Sequence, residues 1–148
     1  MHKVAELANL IRQESLNGVL GITQEQISEI QDAWGVPRLP PAYVEFLALM
    51  GARAGRMLRG TDAFYPVLLR IKEWANDFFD ENADVISLPK SAVVFAMHQG
   101  CLAYCMSDVS VPDPEVILYS EAVSMPLRVW PTFTAFLNSH YLDEPGVK

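Results

Sequence analysis

Apolar residues recur at two spacings along this chain, and the change from one to the other divides it. Val4, Leu7, Ala8 and Ile11 share one side of a helix, for which Asn17-Gly18 is a natural stop. Thr23 with Gln26 three residues on is a capping box, in which each side chain satisfies an otherwise free amide of the first turn. Ile27, Ile30 and Trp34 continue that helix as one stripe, ended by Gly35 and Pro37. Pro40-Pro41 opens a third helix, because proline lacks only an amide that is unpaired there anyway. Tyr43, Phe46, Leu47 and Met50 form its buried side and Gly51 closes it. Gly51 to Thr61 is expected to be a loop with one short strand near Met57 to Arg59. Pro66 to about Glu81 is expected to be helical, with Val67, Ile71, Trp74, Ala75 and Phe78 on one side.

From Val93 the spacing falls to two. Residues 93–106 read as a hairpin turning at Gln99-Gly100, which pairs His98 with Cys101, Met97 with Leu102, Phe95 with Tyr104 and Val94 with Cys105. That register puts Val93, Phe95, Met97, Leu102, Tyr104 and Met106 on one face, and the smaller Val94, Ala96, His98, Cys101, Ala103 and Cys105 on the other. Glu115 to Ser120 is a further strand, and Pro131 to Tyr141 a last helix with Phe133, Phe136, Leu137 and His140 on one stripe. Trp130 can staple the start of that helix. The expected fold is α+β, one domain over residues 1–148, with a mixed or antiparallel sheet and helices packed against it.

Composition adds sign more than shape. The chain has 148 residues, 51% of them hydrophobic, enough for a core without disulfides or a structural metal. A net charge of −7 is the wrong sign for phosphate neutralisation, so direct nucleic-acid binding is not expected. The charge is unevenly spread: residues 1–50 sum to −3, 51–72 to +4 and 73–148 to −8. Arg53, Arg56, Arg59, Arg70 and Lys72 make a cationic island in an acidic molecule. The carboxylates near Glu81 sit at a helix end where the macrodipole disfavours them, which points to a reason other than helix stability. The first residues alternate charged and apolar, unlike a secretory leader, and the longest stretch free of charged residues, Ser91 to Ser107, is broken by the hairpin turn. Neither membrane insertion nor export is expected. Two unpaired cysteines suit a cytoplasmic location.

His98, Cys101 and Cys105 are the residues with the most chemistry. In a strand Cys101 and Cys105 stand about 13 Å apart, too far for a disulfide or a shared zinc ion, and no fourth ligand is evident. Cys101 beside His98 supplies two parts of a thiol enzyme, with Asp108 or His140 as the third, but nothing marks an oxyanion hole. The glycine-rich phosphate loops and the HExxH pair are missing as well. No cofactor or metal is expected.

Two segments resemble the SUKH superfamily, the Smi/Knr-like proteins found widely among bacterial immunity proteins against polymorphic toxins. One is Leu39-Pro40-Pro41-Ala42-Tyr43-Val44-Glu45-Phe46-Leu47, similar to the family's Leu-Pro helix opening with an aromatic and then Phe-Leu. The other runs from Val94 to Asp108, similar to its hairpin with a glycine turn and a following acidic residue. Pro114-Glu115-Val116 and the helix carrying Phe133, Phe136 and Leu137 fall where the family has its next strand and closing helix, so the resemblance covers residues 23–141. It implies a mixed sheet with helices on one side, no catalysis, and function through binding another protein.

The expected activity is therefore that of an immunity protein that neutralises a cognate toxin by direct contact. The acidic charge suits a basic partner such as a nuclease toxin. The candidate contact residues are Asp77, Asp80, Glu81 and Asp84 at the end of the central helix, with Asp108, Asp113 and Glu115 beyond the hairpin. A scaffold or regulatory module binding a cellular protein is the alternative, and a small thiol enzyme centred on Cys101 and His98 a more remote one.

Overall fold

The computed structural model describes residues 1–14 and 18–142; the expected helix stop at Asn17 lies outside them. Helix α1 (Val4–Glu14) buries Val4, Leu7, Ala8 and Ile11, the stripe its spacing predicts. Helix α2 (Gln24–Trp34) starts on the Thr23–Gln26 box, with both reciprocal hydrogen bonds formed, and ends at Gly35 in the left-handed region. Helix α3 (Pro41–Met50) opens with proline in its first turn and buries Tyr43, Phe46, Leu47 and Met50. Gly51 closes α3 with φ −66°, so its glycine is not demanded by backbone angle. A Cβ there would stand 2.5 Å from the Leu47 carbonyl oxygen and 3.0 Å from Ile22, so close packing demands it. Gly21 is tighter still, since an added Cβ would fall 1.8 Å from the carbonyl oxygen of Ala48.

The strand expected near Met57 to Arg59 lies earlier. Strand β2 is Arg53–Ala54, and it pairs antiparallel with β1 (Val19–Leu20), an element of two residues too short to leave a periodic signal. Met57 to Arg59 instead form turns, with Leu58 at φ 61°. The helix expected from Pro66 begins as a 3₁₀ turn, Val67–Arg70, and becomes α4 at Ile71–Glu81. A 3₁₀ turn brings residues three apart onto one side, so Leu68 and Ile71 are buried and Val67 is exposed. The Trp34 indole donates to the Leu68 carbonyl at 3.0 Å, and the Lys72 ammonium donates to the Trp34 carbonyl at 3.2 Å. Both bonds dock α2 on the start of α4.

The second sheet is fully antiparallel in the order β3 (Val93–His98), β4 (Leu102–Met106), β5 (Val116–Ser120), β6 (Arg128–Trp130). Its first hairpin differs from the expected register. Gln99, Gly100 and Cys101 all belong to the turn, so His98 pairs with Leu102, Met97 with Ala103 and Ala96 with Tyr104. A bulge between Val94 and Ala96 then restores the expected pairing of Val94 with Cys105. Ala96 and His98 thereby move to the face of Tyr104, and Met97 to the face of Ala103 and Cys105.

Helix α5 (Phe133–Leu142) covers the Tyr104 face. Phe136 meets Phe95, Tyr104 and Trp130 at ring-centroid distances of 5.3, 5.5 and 5.0 Å, and Phe133 joins Tyr43 and Phe46 of α3. Trp130 thus fulfils the expected staple. Helix α4 lies on the opposite face, where Phe79 meets Tyr119 edge-on at 5.7 Å. Tyr119 pairs with Ala103 and so points away from Tyr104. Helices therefore cover both faces, not one, and the sheet is antiparallel, not mixed. α1 joins this body through Asn138 of α5, which exchanges hydrogen bonds with the backbone of His2 at 2.9 and 2.7 Å.

Candidate protein-binding surface

The acidic candidates occupy two places. Asp77, Asp80 and Glu81 lie at i, i+3 and i+4 on the last turns of α4, and Asp84 follows in the next turn; all four are exposed. That helix end has no basic residue in its last turn, so the carboxylates crowd the negative pole of the macrodipole. The end is held by Asn82, whose amide donates to the Phe78 carbonyl at 2.8 Å and whose Oδ1 accepts from the Ala122 amide at 2.7 Å. α4's acidic turns are thereby fixed beside the segment leaving β5.

Asp108, Asp113 and Glu115 sit at the other end of β5. Asp108 accepts from the amide and hydroxyl of Ser110 at 2.9 and 2.6 Å, and these bonds hold its carboxyl below the usual range. Asp113 accepts from the Thr134 amide at 3.0 Å, while Thr132 accepts from the Ala135 amide at 3.0 Å; together they cap α5. The Pro112 carbonyl accepts from the Ala42 amide at 3.1 Å, which anchors the same loop on α3. Asp108 and Asp113 thus have work within the fold, while Glu115 is exposed.

The cationic island disperses on folding. Lys72 serves the end of α2, and Arg70 stands over the Trp74 ring at 5.4 Å with Glu73 at 3.8 Å. Arg53, Arg56 and Arg59 remain exposed around β2 and the turns that follow. His98 and Cys101 are not aligned as base and nucleophile. The His98 ring meets the Thr61 hydroxyl at 3.3 Å, and the Cys101 thiol is directed at the His98 carbonyl at 3.5 Å. Cys105 is buried under α4, and burial pushes its thiol far up. Among the described residues no group of three or more His, Cys, Asp or Glu side chains is placed to hold a metal ion, and no helix is long and apolar enough to cross a membrane.

Sequence reasoning passed over one stretch altogether. Glu121 to Val129 are all exposed, and they include four large apolar side chains at alternate positions: Val123, Met125, Leu127 and Val129. The period of two was the available signal. It ends in β6, the strand that pairs Val129 with Ile117 and Trp130 with Val116.

These features define an α+β domain in which a proline-initiated aromatic helix and a C-terminal helix close one face of an antiparallel sheet, with carboxylates displayed at the far end of a third. The chain belongs to the SMI1 / KNR4 family (SUKH-1), whose match covers residues 21–139. The matched range agrees with the span of the resemblance to within two residues at each end, and α1 lies before it. No curated protein and no solved structure matches the chain.

Proposed function

We propose that this chain is a non-catalytic binding protein of the immunity kind, which acts in the cytoplasm by direct contact with a cognate bacterial toxin. Membership of a family that includes immunity proteins, over residues 21–139, is the observation that carries this reading. The exposed carboxylates of Asp77, Asp80, Glu81, Asp84 and Glu115 support a basic partner, of which a nuclease toxin is an example. Opposite fields raise encounter rates, and an inhibitor that must act before damage is done benefits from fast capture. Asp108 and Asp113 contribute to the same field while holding the loop that presents it.

The test is co-expression. The neighbouring reading frame is expected to encode a toxin domain that arrests growth when expressed alone, and this chain should restore growth and co-purify with that domain in a fixed ratio. Growth arrest that this chain does not relieve would overturn the reading.

A further inference from the structure

Four directly paired residues cross the α4 side of the sheet: Val94, Cys105, Ile117 and Val129. Their exposure rises along the row, from 5% and 0% at Val94 and Cys105 to 48% at Val129, with Ile117 partly buried. α4 covers β3 and β4, reaches Tyr119 through Phe79, and stops. In the arm that leads into β6, Leu127 is 52% exposed and Met125 is 70% exposed. Among the described residues, the β6 edge of this face and the arm leading into it therefore expose apolar side chains.

Its border is acidic. Glu115 and Glu121 flank β5 at its two ends, both exposed, and Asn82 holds the Asp80-Glu81-Asp84 end of α4 against the start of the 121–129 arm. Between Glu115 and Trp130 the single basic residue is Arg128, and it turns to the other face, over the Trp130 ring at 4.7 Å and bonded to Ser139 at 2.9 Å. Arg128 is thereby withheld from this side. A second copy would bring one acidic border against another, which the Coulomb term disfavours. β6 has three residues and follows Pro126, which makes it a poor template for an added strand, so docking here is through side chains.

Resting on the function proposed above, we infer that the exposed apolar edge made by Val129 of β6 with Leu127 and Met125 of the arm leading into it, beside the partly buried Ile117, is where the toxin is seated. The occupant presents an apolar edge flanked by Lys or Arg. The carboxylates steer and select, and the apolar centre, from which water is expelled, sets the lifetime of the complex.

The experiment titrates the toxin domain from the neighbouring reading frame, made catalytically inactive, into wild-type protein and variants by calorimetry, with thermal melts alongside. Leu127→Asp with Val129→Asp is expected to weaken binding at least 100-fold while the melt moves little, because both side chains are already exposed. Leu127→Ser with Val129→Thr, which preserves the strand, should weaken it at least tenfold. Leu20→Asp on β1, at a residue 52% exposed but remote from this face, should leave affinity unchanged. Unaltered affinity in both double variants, or an equal loss in the Leu20 variant, overturns the inference and leaves the function standing. A wild-type protein that does not bind the toxin domain overturns the function and the inference together. Self-association abolished by Val129→Asp would assign the face to a second copy and overturn the basic partner.

Discussion

The two faces of the four-stranded sheet start from similar apolar stock and are finished differently. On the α5 side, Phe95, Tyr104, Trp130, Phe133 and Phe136 interlock edge to face, and every one of them is buried. On the α4 side, small residues bring the helix close: Ala103 and Cys105 are fully buried, yet Val129 on β6 is 48% exposed and Leu127 just before it 52%. The aromatic side is closed by α5 together with Tyr43 of α3. The other is served by one helix, which packs on β3 and meets β5 through Phe79 and Tyr119. Closure makes the first face a source of stability, and incompleteness leaves the second able to take part in binding.

The largest effect expected from this contrast comes from truncating one apolar side chain on each side of it. Phe136→Ala removes the ring shared by Phe95, Tyr104, Trp130 and His140 and should cost about 3–5 kcal/mol. For a chain of this length that lowers the melting temperature by roughly 10 °C or more. Val129→Ala, at an exposed position, should stay within about 0.5 kcal/mol of the parent. Comparable losses in the two variants, read by thermal melts, would mean that the faces are equally packed.

How much of this contrast could be read from the sequence depends on what each residue signals locally. Thr23, Gln26, Gly35, Pro40 and Pro41 mark helix ends by chemistry that acts within one turn, and the structure places those ends as expected. The Phe95 bulge depends on packing against Phe133 and Phe136, far along the chain, so alternation alone assigned Ala96, Met97 and His98 to the wrong faces. β1 and β2 hold two residues each, below the length at which any period can register. The acidic turns of α4 were legible as an offence against the helix dipole. The exposed apolar edge was not, because alternation at Val123, Met125, Leu127 and Val129 suggests a strand over the whole stretch, of which only Arg128–Trp130 forms one, and says nothing about what covers it.

A second measurement divides the α4 side within itself. Cys105 lies under the helix with its thiol pushed far up by burial, whereas Cys101 stands in the hairpin turn, partly exposed. Native protein at pH 8 should therefore take up one equivalent of iodoacetamide, at Cys101, and the second only on unfolding. Burial also raises the Tyr43 hydroxyl well above its ordinary value. Both groups keep their protons in the native state while the unfolded chain releases them. The stability linked to them is present below about pH 8.5 and falls as the pH rises further. Fast labelling of Cys105 under native conditions, followed by peptide mapping, would show that α4 does not cover even β4 closely.

The smallest expected effect separates the acidic border from the core it adjoins, and its sign is informative. Asp80 and Glu81 lie at the negative end of the α4 macrodipole, so replacing both by Lys should raise the melting temperature slightly, by about 1–2 °C. The same double reversal should slow association with the basic partner and reduce the dependence of its rate on salt, while changing dissociation little. A gain in stability coupled to a loss in association rate is the mark of charges kept for a partner at a cost to the helix. Stopped-flow association at two ionic strengths, beside the melts, decides it. If the reversal leaves the association rate and its salt dependence unchanged, the carboxylates of α4 do not steer the partner. The contrast between the faces would then rest on the apolar centre at Leu127 and Val129 alone.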